Sequence, residues 1–298
     1  MSDILIFISG NIQNPLTLSV TDKVKVFLNH HHIQMTSEIW LCPDKALEIH
    51  LSHSLNIDAH NHIRKEFESD EVDVFLVDSA YRRKKLLLAD MDATIVDGES
   101  LDDLADLAGL KDKISAITER AMRGELDFKS ALIERVAMLK GLSVSDLIET
   151  RDALVINEGA IDVIRVMRKF GADCYLVSGG FSFFTENIAQ KCGFNGHHGN
   201  HLEIIDGVLS GQVIPPILDK DSKLSFLSQY TQKFGLTPEE TMAVGDGAND
   251  IPMLQGAGLG VGYHPKPLVK EKINNYIIHT DLTSLLYIQG YSWQDIQT

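Results

Sequence analysis

The sequence predicts an α/β protein: a parallel sheet covered by helices, a helical insertion after its first strand, and a separate βαββαβ unit ahead of it. Three observations predict this. From Leu86 onward, apolar runs of strand length alternate with stretches of helical period, which implies a sheet covered on both faces. Residues 99–153 break that rhythm with helical text and no strand. Residues 1–80 carry their own order of strands and helices.

In the leading unit, ILIFIS (4–9) is a short apolar run, and the stretch from Asp22 spaces its apolar residues as a helix does. SEIWLC and ALEIHLS are extended runs split by the Pro43-Asp44 turn signal. DAHNHIRKEFES, with Ile63 and Phe67 four apart, reads as a second helix, and VDVFLVD closes the unit. The order βαββαβ is the ferredoxin-like plan. Arg82-Arg83-Lys84-Lys85 then reads as a solvated linker, and the second unit runs over 84–298. Its strands are expected at 85–90, 173–179, 241–246 and 258–263, in a Rossmann-like order, with a helix over 158–170. The stretch 200–213, alternating around Asp206-Gly207, predicts a small β-hairpin.

Composition narrows the function. Twenty-seven basic against forty-two acidic residues give a net charge of −15, the wrong sign for a nucleic-acid backbone or an anionic membrane. No apolar run approaches the roughly 18 residues of a membrane span, and the N-terminus has no signal-peptide pattern, so a cytoplasmic protein is expected. Cys42, Cys174 and Cys192 are odd in number and far apart, so they are expected to be buried small hydrophobes. His30-His31-His32 and His197, His198 and His201 lack the partners of a zinc site and are expected at the surface. The glycines of 256–262 fit no nucleotide-binding pattern and are expected to let a helix end pack against a strand.

In open α/β sheets, ligands sit beyond the carboxyl ends of the strands. The first core strand ends Asp90-Met91-Asp92, two carboxylates that could supply a nucleophile and a proton donor. The next ends Ser178-Gly179-Gly180, a hydroxyl with amides that can approach an anion. The third ends Asp246-Gly247-Ala248-Asn249-Asp250. Carboxylates gathered around a phosphate need a hard cation, which points to Mg²⁺. A lysine between the last two motifs would add positive charge, and spacing alone leaves Lys220 and Lys223 open.

DMDAT, VSGG, Lys223 and VGDGAND, in that order, resemble the phosphoserine phosphatases of the haloacid dehalogenase superfamily over residues 84–290. The leading unit is similar to an ACT-type domain. The resemblance implies a Mg²⁺-dependent hydrolase of O-phospho-L-serine, acting in the closing step of serine biosynthesis. It implies Asp90 as nucleophile, Asp92 as general acid and base, and a cradle of Ser178, Gly179 and Lys223 for phosphate, which selects Lys223 over Lys220. Asp90, the main-chain carbonyl of Asp92, Asp246 and, through water, Asp250 would hold the metal. Asn249 would contact phosphate or substrate, Glu99 the substrate ammonium, Arg135 its carboxylate, and Met122 and Phe128 would close over the site. A zwitterion does need one anion and one fork-shaped cation. Ala93 stands where the resembled motif usually has Ser or Gly.

The alternative within enzymes is a phosphatase or phosphotransferase for another small phosphate ester; outside them, a ligand-responsive binding protein. The expected partner is a small molecule, with no nucleic acid and no membrane. Three roles stay open for residues 1–80: binding an amino acid, forming a homodimer, or only packing against the rest.

Overall fold

The computed structural model describes residues 3–10, 15–122 and 125–298. The leading unit has the expected order: β1 (Asp3–Ser9), α1 (Leu18–His30), β2 (Met35–Cys42), β3 (Ala46–Leu51), α2 (Ile57–Phe67) and β4 (Val72–Asp78). Helix α1 begins four residues ahead of Asp22, where the Thr17 hydroxyl accepts the Ser19 amide. The strands form an antiparallel sheet in the order β2-β3-β1-β4.

Strand β1 is buried along Ile4–Ile8, and the sheet explains why it is apolar throughout rather than alternating. Leu5 and Phe7 pack with Val24, Phe27, Ile63 and Phe67 of α1 and α2. Ile4, Ile6 and Ile8 face the other way and join a cluster that contains Leu285, Tyr287 and Ile288 near the C-terminus. Both faces are therefore covered.

The second unit comprises β5 (Leu86–Ala89), helices α3 (Ser100–Leu107), α4 (Lys111–Met122), α5 (Phe128–Met138), α6 (Val144–Ala153) and α7 (Ala160–Lys169), then β6 (Asp173–Phe181), α8 (Ser182–Cys192), β7 (Gly196–Ile205) and β8 (Val208–Ile214). It continues with α9 (Lys220–Lys233), β9 (Thr241–Gly245), α10 (Ile251–Gly256), β10 (Leu259–Tyr263), α11 (Pro267–Lys272), β11 (Asn275–Ile277), α12 (Ser284–Ile288) and α13 (Trp293–Gln297). Seven strands form one sheet in the order β11-β10-β9-β5-β6-β7-β8. The four expected core strands are all in it and mutually parallel. Gly260 packs so closely under the Leu254 carbonyl of α10 that no side chain fits there, as the glycine run suggested.

The expected hairpin is present, with Ile204 opposite Leu209 and Ile205 opposite Val208 around Asp206-Gly207, and its first strand reaches back to Gly196, where Gly196–His198 of β7 pair in parallel with β6. Its tip also holds the inserted helices, since the Gly141 amide donates to the Leu209 carbonyl, the Leu209 amide to the Leu142 carbonyl, and the Val144 amide to the Gly207 carbonyl. The basic stretch is a solvated linker only in part: Arg83 and Lys85 are exposed, but Arg82 and Lys84 are not. Arg82 pairs with the buried Glu48 and donates to the Ile288 carbonyl, Lys84 is buried and donates to the Glu239 carbonyl at 2.7 Å, and Lys85 pairs with Glu240. Arg83 lies over the ring of Tyr291. All four side chains thus find carboxylates, carbonyls or a ring that only tertiary packing brings near.

The three cysteines are buried and free, as expected. The second histidine group is not simply at the surface: His198 stacks on Phe226 and bonds the Tyr230 hydroxyl, and His197 bonds Thr185. Among the described residues no helix is long and apolar enough to cross a membrane.

Candidate active site

Strand register builds the floor of the site. Strand β5 lies between β9 and β6, with Ala89 opposite Val244 on one side and Leu176 on the other. Asp90 follows β5 and Asp246 follows β9, so two residues beyond matched strand ends come side by side. The Asp90 amide extends the ladder to the Val244 carbonyl at 3.0 Å. After Asp246 the chain turns back: the Gly247 amide donates to Asp250 Oδ2 at 3.0 Å, which holds the Asp250 carboxylate inward. A Cβ on Gly245 would lie 2.5 Å from Asp250 Cγ, so only glycine leaves room for that carboxylate.

Oxygens of Asp90, Asp246 and Asp250 lie within 4.8 Å of one another, and all three residues are buried. Burial and the neighbouring Asp250 push the Asp90 carboxyl well above its ordinary range, against the pull of Lys223. Burial likewise raises Asp246, against Lys266. Three hard oxygen donors with no histidine or cysteine among them fit a hard divalent cation, and excess negative charge favours one there.

Lys223, not Lys220, enters the site. Its Nζ lies 2.7 Å from Asp90 Oδ1 and 2.5 Å from Asp250 Oδ1, with the side chain only 3% exposed. The two carboxylates raise its pKa despite burial, so it stays cationic. Lys220 is the exposed first residue of α9, capped by Asp219.

Asp92 is held at both oxygens. Oδ1 accepts the Ser100 amide at 2.8 Å, and Oδ2 accepts the Ser178 hydroxyl at 3.0 Å, while the Ser178 oxygen accepts the Gly180 amide. Ser100 is the first residue of α3, whose amides have no partner within the helix, so the inserted helices hold Asp92 from above. That contact had no signal in the sequence beyond the helix start itself. Asp92's carboxylate stands outside the cluster of Asp90, Asp246 and Asp250.

Above this floor is a cleft of about 570 Å³, whose lining includes Asp90, Asp92, Asp246 and Asn249 from beyond β5 and β9, and Ser178 and Gly179 from the break in β6 pairing. Glu99, Phe128 and Arg135 line it from the insertion. The Phe128 ring lies over Gly179, 3.2 Å from where a Cβ would be. Arg135 is half-buried, bonds only the Ala131 carbonyl of its own helix, and pairs with no carboxylate among the described residues; burial lowers its pKa. Glu99 is half exposed, and its carboxyl is raised by the protein around it and by Asp92. Met122 ends α4, but its side chain lies outside the described residues. Ala93 adopts a left-handed conformation, φ 51°, and its amide donates to the Gly98 carbonyl, so that amide is committed to the loop.

Among the lining residues that the sequence did not single out, Lys266 carries a charge. Lys266 Nζ lies 3.0 Å from Asp246 Oδ2 and 3.5 Å from Glu99 Oε1.

Comparison with known proteins accords with this arrangement. A phosphoserine phosphatase of Mycobacterium tuberculosis is 39% identical over 79% of this chain and 58% of its own length. One from Archaeoglobus fulgidus is 39% identical over 75% and 65%. The chain thus spans less than two thirds of these two relatives. One from Streptococcus thermophilus is 41% identical over 69% of this chain and 95% of its own. Among solved structures, a haloacid dehalogenase-family hydrolase from Salmonella enterica serovar Typhi has a TM-score of 0.86, at 27% identity, covering 96% of this chain and 98% of that one. A probable phosphoserine phosphatase from Vibrio cholerae scores 0.81 at 28% identity, covering 99% and 88%. The model of the haloacid dehalogenase-like hydrolases matches residues 87–255, the span that carries Asp90, Asp92, Ser178, Lys223, Asp246 and Asp250. With these residues converging at the ends of β5, β6 and β9, the chain belongs to the haloacid dehalogenase-like hydrolases.

Proposed function

We propose that the protein is a phosphoserine phosphatase that hydrolyses O-phospho-L-serine to L-serine and phosphate, the closing step of serine biosynthesis. The observation that carries this reading is the cleft itself: Asp90 and Asp92 at its floor, with an unpaired Arg135 and a Glu99 carboxylate among its lining. A phosphate ester, an ammonium and a carboxylate then each have a partner of opposite charge or a nucleophile.

In the first step Asp90 attacks phosphorus and the bond to the serine oxygen breaks, while Asp92 gives that oxygen a proton. In the second, Asp92 takes a proton from water as its oxygen attacks phosphorus, and the Asp90 carboxylate leaves. The Ser100 amide and Ser178 hydroxyl keep Asp92 in one orientation for both transfers. Lys223, fixed between Asp90 and Asp250, offsets the charge that spreads over the phosphoryl oxygens. Asp90, Asp246, Asp250 and the main-chain carbonyl of Asp92 would hold Mg²⁺, with Ser178, Gly179 and Asn249 about the phosphate. When bound, Mg²⁺ supplies positive charge that lets an anionic nucleophile approach an anionic ester. Phe128 closes over the substrate.

This reading divides the chain into an ACT-like unit over 1–80 and a catalytic unit over 84–298, with the cap at 99–153 and the hairpin at 200–213. It places the enzyme in the cytoplasm, where free thiols stay reduced. A homodimer through the leading unit would use the edge strand β2, whose residues 36–39 are exposed. Phosphate release across a panel of phosphorylated amino acids and simple esters tests the assignment. Preference for phosphoserine is expected; equal turnover of all esters would replace it with a general phosphatase.

A further inference from the structure

Lys266 lies beyond the span shared with the family model, yet it reaches the same cleft. Its main chain is held with little slack. Pro265 precedes it and Pro267 follows, which keeps Lys266 extended at φ −60° and ψ 154°. Its amide donates to the Asp246 carbonyl at 2.9 Å. His264 ahead of it is in the left-handed region, φ 39°, with its amide bonded to the Ile277 carbonyl of β11. A lysine on a free loop would sample many positions; this one is anchored at its root beside Asp246.

Glu99 is in the opposite condition. It caps α3 without bonding any helix amide through its side chain, and among the described residues Lys266 is the one partner of its carboxylate. Asp92, Asp246 and Asp102 surround it with like charge. With side chains 58% and 50% exposed, the pair adds little to the stability of the fold. What it does is hold a carboxylate over a cleft whose other anions would push it outward. Lys266 approaches Oε1, which leaves Oε2 for a ligand.

We infer that Lys266 positions Glu99 and, through it, sets the selectivity of the cleft for phosphate esters bearing an ammonium group, an inference that rests on the reading of the cleft as a phosphoserine site. Lys266 is a positioning residue here: it acts on the substrate by way of Glu99.

The test compares phosphoserine with O-phospho-3-hydroxypropanoate, which keeps the phosphate and carboxylate and lacks the ammonium. Lys266→Met should raise KM for phosphoserine about tenfold with kcat within about threefold, and should affect the deaminated ester several-fold less. Lys266→Arg should restore most of the phosphoserine KM. Adding Lys266→Met to Glu99→Gln should cost no more than Glu99→Gln alone, because residues acting through one contact are not additive. Equal losses on both esters, or additive losses in the double variant, would assign Lys266 to Asp246 or the phosphate and overturn the inference. A wild-type preference for phosphoserine that survives Lys266→Met overturns it alone. A wild type that turns over both esters equally overturns the phosphoserine reading as well.

Discussion

The junction between the leading unit and the catalytic unit differs sharply from the cleft between the inserted helices and the strand ends. At the junction, charges are buried with every partner they need. Asp73 of β4, 4% exposed, accepts the amides of Ile278, His279 and Thr280 and the Thr280 hydroxyl. The Asn275 side chain donates to the Leu76 carbonyl and accepts its amide at 3.0 Å each, so a side chain continues the edge of β4 as a neighbouring strand would. Arg82 bonds Glu48 and the Ile288 carbonyl together. In the cleft the balance is left incomplete: Arg135 has no carboxylate, Glu99 keeps one oxygen free, and three aspartates share Lys223 and Lys266. Satisfied buried charge fixes one geometry, whereas unsatisfied charge is held ready for something that enters.

The largest expected effect lies on the floor of the cleft. Asp90→Asn should cut turnover by at least about 10⁴-fold, because a carboxamide cannot form the acyl phosphate, with thermal unfolding little changed. Turnover within tenfold of wild type would remove Asp90 from the nucleophile's role. Asp92→Asn should cost about 10²- to 10⁴-fold. Chelation by EDTA should silence the enzyme and added Mg²⁺ restore it; full activity after exhaustive chelation would sink the metal assignment.

Next comes the wall of the cleft. Arg135→Ala should lower kcat/KM for phosphoserine about 10- to 150-fold, the value of a charge-assisted contact, and leave p-nitrophenyl phosphate, which has no carboxylate, far less affected. Equal loss on both esters would assign Arg135 to the phosphate or the fold.

The junction should answer in the opposite currency. Asp73→Ala leaves three amides and a hydroxyl without their acceptor, and should lower stability by about 3 kcal/mol in urea unfolding, while kcat/KM at 25 °C stays within about twofold. A large loss of activity in the folded variant would mean that the two regions are coupled. Glu48 offers the smallest and most specific test. Burial raises its carboxyl, but Arg82 and His50 outweigh it, so the folded pKa lies below the ordinary 4.5. The stability this confers is complete above that ordinary value and is lost as pH falls through the folded pKa. Glu48→Gln should therefore flatten the acid side of the stability profile; an unchanged slope would show that the pair carries no linkage.

Much of the site was legible because its residues are set by local rules. Asp90 and Asp246 follow strand ends, where a run of apolar residues gives way to carboxylates, and the sheet need only align those ends; Ser178, expected at a strand end too, stands inside β6 where its pairing with β7 breaks between Val177 and Phe181. Lys223 over Lys220 was decided by resemblance; on spacing alone the two were equal, and burial between Asp90 and Asp250 distinguishes them. Arg82 and Lys84 were misread because a run of four basic residues looks solvated until Glu48 and the Glu239 carbonyl are brought beside it.

What the sequence by itself determined is the order of strands and helices and the chemical identity of the groups at the strand ends, because periodicity and turn chemistry act over a few residues. What only the tertiary structure decided is which charges are paired. Lys223 meets Asp90 across 133 residues of sequence, and Lys266 meets Glu99 across 167. Ion pairing depends on distance and burial in space, and neither is a property of a residue's neighbours along the chain.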